Sequence, residues 1–143
     1  MSSAWNTDAV PSGLRRHVDS GPRRIHVVVA DDLPGCLGIL EELARFEDTV
    51  EVVGQATSAA GAVELIAAVE PDLVIMNVAV PSGDSLTLSR VIYTCLSHVT
   101  IVMTSIANSP RLRATCLTSG AEAFIHKPDF QREFGRILTS KFS

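Results

Sequence analysis

Aromatic side chains are scarce: Phe, Trp and Tyr together make up 5% of the 143 residues. A core must therefore be built from Val, Ile, Leu and Ala. A basic excess is also missing. Twelve Lys and Arg stand against 16 Asp and Glu, a net charge of −4, which removes the electrostatic case for a nucleic-acid binder. The pairs Arg15-Arg16 and Arg23-Arg24 are too short to reverse this and read as solubilising charge. The three cysteines, Cys36, Cys95 and Cys116, are odd in number and show no CxxC or His-paired spacing. That argues against a disulfide framework or a zinc ribbon, and for reduced thiols in a cytoplasmic protein. No apolar run nears the roughly 18 residues that cross a bilayer, and the N-terminus lacks the apolar centre of a signal peptide.

The length suits one domain. Residues 1–23 are rich in Ser, Gly, Pro, Asp and Arg with no steady period, and read as a flexible arm. The domain is expected over 24–143. From Ile25 onward, short and nearly continuous apolar runs recur at 25–30, 50–56, 72–78, 99–104 and 122–126. Continuous runs suit strands covered on both faces, as in a parallel sheet.

Helical periods lie between these runs. Leu33, Leu37, Leu40 and Ala44 form one stripe; Ala62, Leu65, Ile66 and Val69 a second; Leu88, Val91, Ile92 and Cys95 a third. Ser58 reads as an N-cap, with Pro71 ending that helix. Ser109-Pro110 opens a fourth helix and Gly120 closes it, although Thr115, Thr118 and Ser119 are poor helix formers. Asp129 is placed to cap a fifth helix with the stripe Phe130, Phe134, Ile137 and Leu138. Five β-α alternations imply a doubly wound α/β domain, whose site lies beyond the carboxyl ends of the strands.

The polar residues at those ends are Asp31 and Asp32, Asn77, Thr104 and Ser105, then Lys127 followed by Pro128. Each has a plain reading. Asp32 can cap a helix, a strand-end threonine is common, and Lys127 can lie along the surface. As a set, two acids, a hydroxyl and an ammonium on one rim suit a phosphoryl group with a hard divalent ion.

The Asp31-Asp32 pair, "PDLVIMN" leading to Pro81 and Gly83-Asp84, "VMTS", and "GAEAFIHKP" come in an order that resembles bacterial response-regulator receiver domains. The resemblance covers residues from about 24 to 142. It implies a flavodoxin-like (βα)5 parallel sheet of strand order 2-1-3-4-5. It implies that position 77 is the phosphoacceptor, and that Asp31, Asp32, the side chain at 77 and the Ala79 carbonyl hold Mg²⁺. Thr104 would bond a phosphoryl oxygen and draw in Phe124, the switch aromatic. Lys127 would pair with the acyl phosphate, and the Lys127-Pro128 bond would be cis. A histidine kinase or phosphotransfer protein would supply phosphate. The fourth helix, fifth strand and fifth helix would face a downstream output partner, with a homodimer as a further option. No direct contact with nucleic acid or membrane is implied.

Position 77 departs from this pattern. It is asparagine, a neutral amide that lacks the anionic oxygen needed to accept a phosphoryl group. It also removes a charge from the metal site, so Mg²⁺ should bind more weakly. Retention of Asp31, Asp32, Thr104, Lys127 and Pro128 favours a deliberate or recent replacement slightly over a natural pseudo-receiver. The expected function is a regulatory, non-enzymatic signalling module, either alone or as the receiver of a longer DNA-binding regulator. The competing readings are a small Mg²⁺-dependent phosphohydrolase using Asp31 or Asp32, and a flavodoxin-type cofactor binder. The acidic "DDLPG" turn, without a glycine- and hydroxyl-rich phosphate cradle, speaks against the latter.

Overall fold

A computed structural model describes residues 23–80 and 84–142. The arm expected over 1–23 lies almost wholly outside them, as do Pro81 and Gly83 of the turn after the third strand. Five strands alternate with five helices: β1 (Ile25–Ala30), α1 (Leu33–Leu43), β2 (Val50–Ala56), α2 (Ala59–Val69), β3 (Leu73–Asn77), α3 (Ser85–Cys95), β4 (Thr100–Ser105), α4 (Pro110–Thr118), β5 (Ala123–His126) and α5 (Phe130–Phe142). Short 3-10 turns, Ala44–Phe46 and Lys127–Asp129, follow α1 and precede α5.

The sheet has the order β2-β1-β3-β4-β5, and every pairing is parallel. Parallel neighbours need crossovers, so each helix returns the chain to the starting edge. The polar ends of all five strands consequently meet on one rim.

Helices cover both faces. Val28, Val74, Met76, Ile101, Met103 and Phe124 point to a layer closed by α2, α3 and α4. Val27, Val29, Leu73, Ile75, Val102 and Ile125 point to the layer of α1 and α5. The few aromatics concentrate in this second layer. Phe130 stacks on Phe134 at 4.9 Å, and Phe46 meets Phe134 edge-on at 5.1 Å.

The caps at Ser58 and Ser109 form as the sequence implies, accepting from the N–H groups of Gly61 and Leu112. Gly120 takes φ +110°, which glycine alone adopts without strain, and its α-carbon packs against Tyr93.

Three local readings need correction. The buried side of α1 is Cys36, Ile39 and Leu43, one position before the leucine stripe, and Leu33 and Leu37 are 57% and 54% exposed. The chain leaves β1 at Asp31 and is capped at once by Asp32, so the join to the sheet sets the helix phase. In α3, Ser85 and Ser89 are buried beside Leu88 and Ile92, whereas Val91 and Cys95 are exposed. The serines go inward because partners await them. Ser85 Oγ donates to the Asn77 carbonyl at 2.9 Å, and Ser89 Oγ to the Ser119 carbonyl at 3.3 Å. Asp129 does not cap α5, since the preceding 3-10 turn runs straight into that helix. Its carboxylate takes His126 and Arg132 instead.

Candidate functional site

Asp31, Asp32, Asn77, Ala79, Ser105 and Lys127 line one open cleft at the carboxyl ends of the strands. β1 delivers the acid pair. Asp31 is 2% exposed, a burial that a carboxylate tolerates only when paired. Lys127, 96 residues away and just past β5, donates from Nζ to its Oδ2 at 2.7 Å. Its Oδ1 accepts from the Asp32 N–H at 2.7 Å. Both oxygens are thus satisfied by a cation and an amide. Asp32 is exposed and caps α1, accepting from the Gly35 N–H at 2.7 Å.

Gly35 belongs to this site although the sequence reading did not single it out. A Cβ there would collide with the Asp31 carboxyl group. Only a residue without a side chain lets α1 start against that carboxylate. The lone proline-glycine step after the acid pair was the available signal.

β3 delivers Asn77 beside Thr104 of β4 in register. With its amide nitrogen turned to β4, Asn77 donates to the Thr104 carbonyl at 2.9 Å, and its oxygen accepts from the Ala79 N–H at 3.1 Å. The Thr104 carbonyl also takes the Val78 N–H at 2.9 Å. The side chain therefore uses one donor and one acceptor, a combination an ionised carboxylate lacks.

Thr104 itself does not reach the cleft. Its side chain is fully buried, and Oγ1 has no hydrogen-bond partner among the described residues. The hydroxyl on the cleft wall belongs to its neighbour, Ser105, which accepts from the Ala107 N–H at 3.0 Å. The alternating side-chain direction of a strand makes a one-residue offset decisive.

Phe124 already lies inward, 3% exposed, in the α2–α4 layer. Among the described residues no peptide bond is cis, so the Lys127-Pro128 bond is trans rather than cis. Trans is the lower-energy isomer by about 0.5–1 kcal/mol before proline, and here Pro128 sits inside the 3-10 turn that starts α5.

The oxygen donors are hard and suit Mg²⁺ in kind: two carboxylates and the carbonyl of Ala79, an exposed residue on the cleft. In number they are thin. One carboxylate is already neutralised by Lys127, and no group of three His, Cys, Asp or Glu able to hold a metal occurs among the described residues. Burial pushes the Cys36 thiol up, with the Asp31 charge adding to the effect. Cys36 Sγ lies against the Asp31 and Ala56 carbonyls and acts as a packed core group. No described helix is long and apolar enough to cross a membrane.

Known proteins are similar to this chain. The family model described as "Response regulator receiver domain" matches residues 27–137. Protein-glutamate methylesterase/protein-glutamine glutaminase 4 of Myxococcus xanthus is 32% identical over 105 residues, 73% of this chain and 30% of that protein. The chain thus spans about a third of the length of that curated relative. The signal receiver domain of NarL from Mycobacterium tuberculosis superposes with a TM-score of 0.71 at 24% identity, covering 84% of this chain and all of that one. A CheX-CheY-BeF3-Mg²⁺ complex from Borrelia burgdorferi gives a TM-score of 0.71 at 21% identity, covering 83% and 90% of the two chains. At these identities the solved structures speak for the fold, and the family model covers most of the domain. With the strand order, the acid pair after β1 and the lysine after β5 all in place, this chain belongs to the response-regulator receiver-domain family.

Proposed function

We propose that this receiver relays its signal through protein contact, without a phosphoryl group on residue 77. The observation that carries this reading is the neutral amide at position 77 itself, which, with its nitrogen turned to β4, meets the Thr104 carbonyl and the Ala79 N–H. An aspartate would set a carboxylate oxygen against the Thr104 carbonyl, two acceptors with no proton between them. The surroundings of position 77 thus suit an amide.

Within this reading Asn77 occupies the acceptor position and offers no anionic nucleophile. Lys127 neutralises Asp31 where a phosphoryl group would otherwise draw it away. Ser105, whose Oγ accepts from the Ala107 N–H, lines the cleft, and Thr104 lies buried beside it. Mg²⁺ would be held by Asp31, Asp32 and the Ala79 carbonyl, more weakly than by three carboxylates. When bound it would supply positive charge to oxyanions in the cleft. The partners are a histidine kinase or phosphotransfer protein on the cleft side, and an output domain or protein on the face of α4, β5 and α5. The role is regulatory. The hydrolase alternative has less support, because Asp31 is buried in an ion pair and Asp32 is occupied as a helix cap.

The test is to incubate this chain and its Asn77→Asp variant with acetyl phosphate and Mg²⁺ and to weigh the intact proteins. A gain of about 80 Da, one phosphoryl group, is expected on the Asp variant only. The same gain on the unaltered chain at one defined residue would overturn the reading.

A further inference from the structure

α4 is held to the sheet by little fully buried apolar surface, with Leu112 half-buried against the core. It buries one side chain, Cys116, whereas α5 buries Phe130, Phe134 and Leu138. Thr115 and Thr118 donate their hydroxyls back to the Arg111 and Ala114 carbonyls at 2.9 and 2.8 Å, bonds that compete with the helix ladder. Such a helix needs another anchor to keep one position.

Arg113 supplies it. From α4 its guanidinium carbon lies 4.9 Å from the centre of the Phe124 ring in β5, within stacking range. The same side chain donates from Nη1 to the Phe124 carbonyl at 3.2 Å. One residue of α4 therefore holds both the ring and the backbone of one residue of β5. The loop before α4 is tied to the same strand. His126 Nε2 lies 3.1 Å from the Ile106 carbonyl oxygen, although the Ile106 side chain itself is 79% exposed.

We propose that Arg113 is a positioning residue that keeps α4 docked on β5 and Phe124 inward in the unphosphorylated chain. As a regulatory device this rests on the receiver reading above and deepens it. The output face is set by a cation on α4, and a partner that withdraws Arg113 from Phe124 would release α4.

Amide hydrogen exchange of the full chain tests this at neutral pH, with Arg113→Ala and Arg113→Lys beside the unaltered protein. Loss of a stacked guanidinium and its hydrogen bond is expected to speed exchange across residues 106–118 about tenfold. Exchange across 33–43 and 130–142 should stay unchanged. Lysine keeps the charge but not the flat fork, so it should restore only part of the protection. The Phe124 ring signals in NMR should shift in the alanine variant in parallel. Unchanged exchange over 106–118, or a rise shared equally by all helices, would overturn the proposal. The two readings fail separately: phosphate on residue 77 is read by mass, and the Arg113 hold by exchange on protein that carries none.

Discussion

Helices α4 and α5 flank the same edge of the sheet on opposite faces, and they are attached by different forces. α5 inserts two stacked phenylalanines and a leucine beneath the sheet. α4 inserts one cysteine and adds a guanidinium over a ring. Burial of large apolar side chains is strong and hard to undo locally. A polar grip is weaker and can be exchanged for another partner. The same domain thus carries a fixed wall and an adjustable one, on either side of β5. The cleft belongs to the first kind of construction at Asp31, where burial, Lys127 and Gly35 leave one arrangement.

The largest contrast should come from truncating each wall. Phe134→Ala is expected to cost about 3–5 kcal/mol in urea unfolding. Leu112→Ala, on the half-buried side of α4, should cost less than about 2 kcal/mol. Equal losses would remove the distinction between the two helices. Next comes the cleft. Lys127→Met leaves the Asp31 carboxylate buried without its cation, a loss of roughly 3 kcal/mol, and the double change with Asp31→Asn should recover much of it. A single Lys127→Met variant as stable as the parent would mean the pair is not what neutralises Asp31. Gly35→Ala forces a methyl into that carboxylate and should cost about 1–3 kcal/mol, with α1 displaced at its start. An unshifted thermal midpoint there would mean that Asp31 is free to move aside.

The smallest effect is on the rim beside α5. The bond from His126 holds the Asp129 carboxyl below its ordinary range, with Arg132 adding to it. A depressed folded pKa favours the folded state above the unfolded value and ceases to do so as pH falls through the folded one. Asp129→Asn should therefore lower the thermal midpoint slightly near neutrality and not at all well below pH 4, near the ordinary carboxylate pKa of about 3.9. A difference that grows in acid would contradict the pairing.

The elements were legible along the chain because their causes are local. β1 and β2 span the residues whose continuous apolar character marks them, and β3, β4 and β5 shift by a single residue at their ends. Ser58, Ser109 and Gly120 act within one turn of where they stand. Five such units with parallel pairing leave few topologies, and the rim of polar strand ends follows.

What tertiary structure decided is different in kind. The phase of α1 turned by one residue because the helix is tied to β1 through Asp32, and Leu33 and Leu37 face solvent as a result. That Ser105 lines the cleft while Thr104 lies wholly buried depends on how the end of β4 meets the rim, a geometry that two adjacent hydroxyl residues do not encode. Asp31 meets Lys127 across 96 residues, and Arg113 reaches Phe124 only because α4 crosses over β5. The sequence by itself determined the receiver fold and the amide at position 77. Only the packed structure decided what that amide bonds and which groups hold α4 and Phe124. Those contacts depend on distances that periodicity and caps cannot reach.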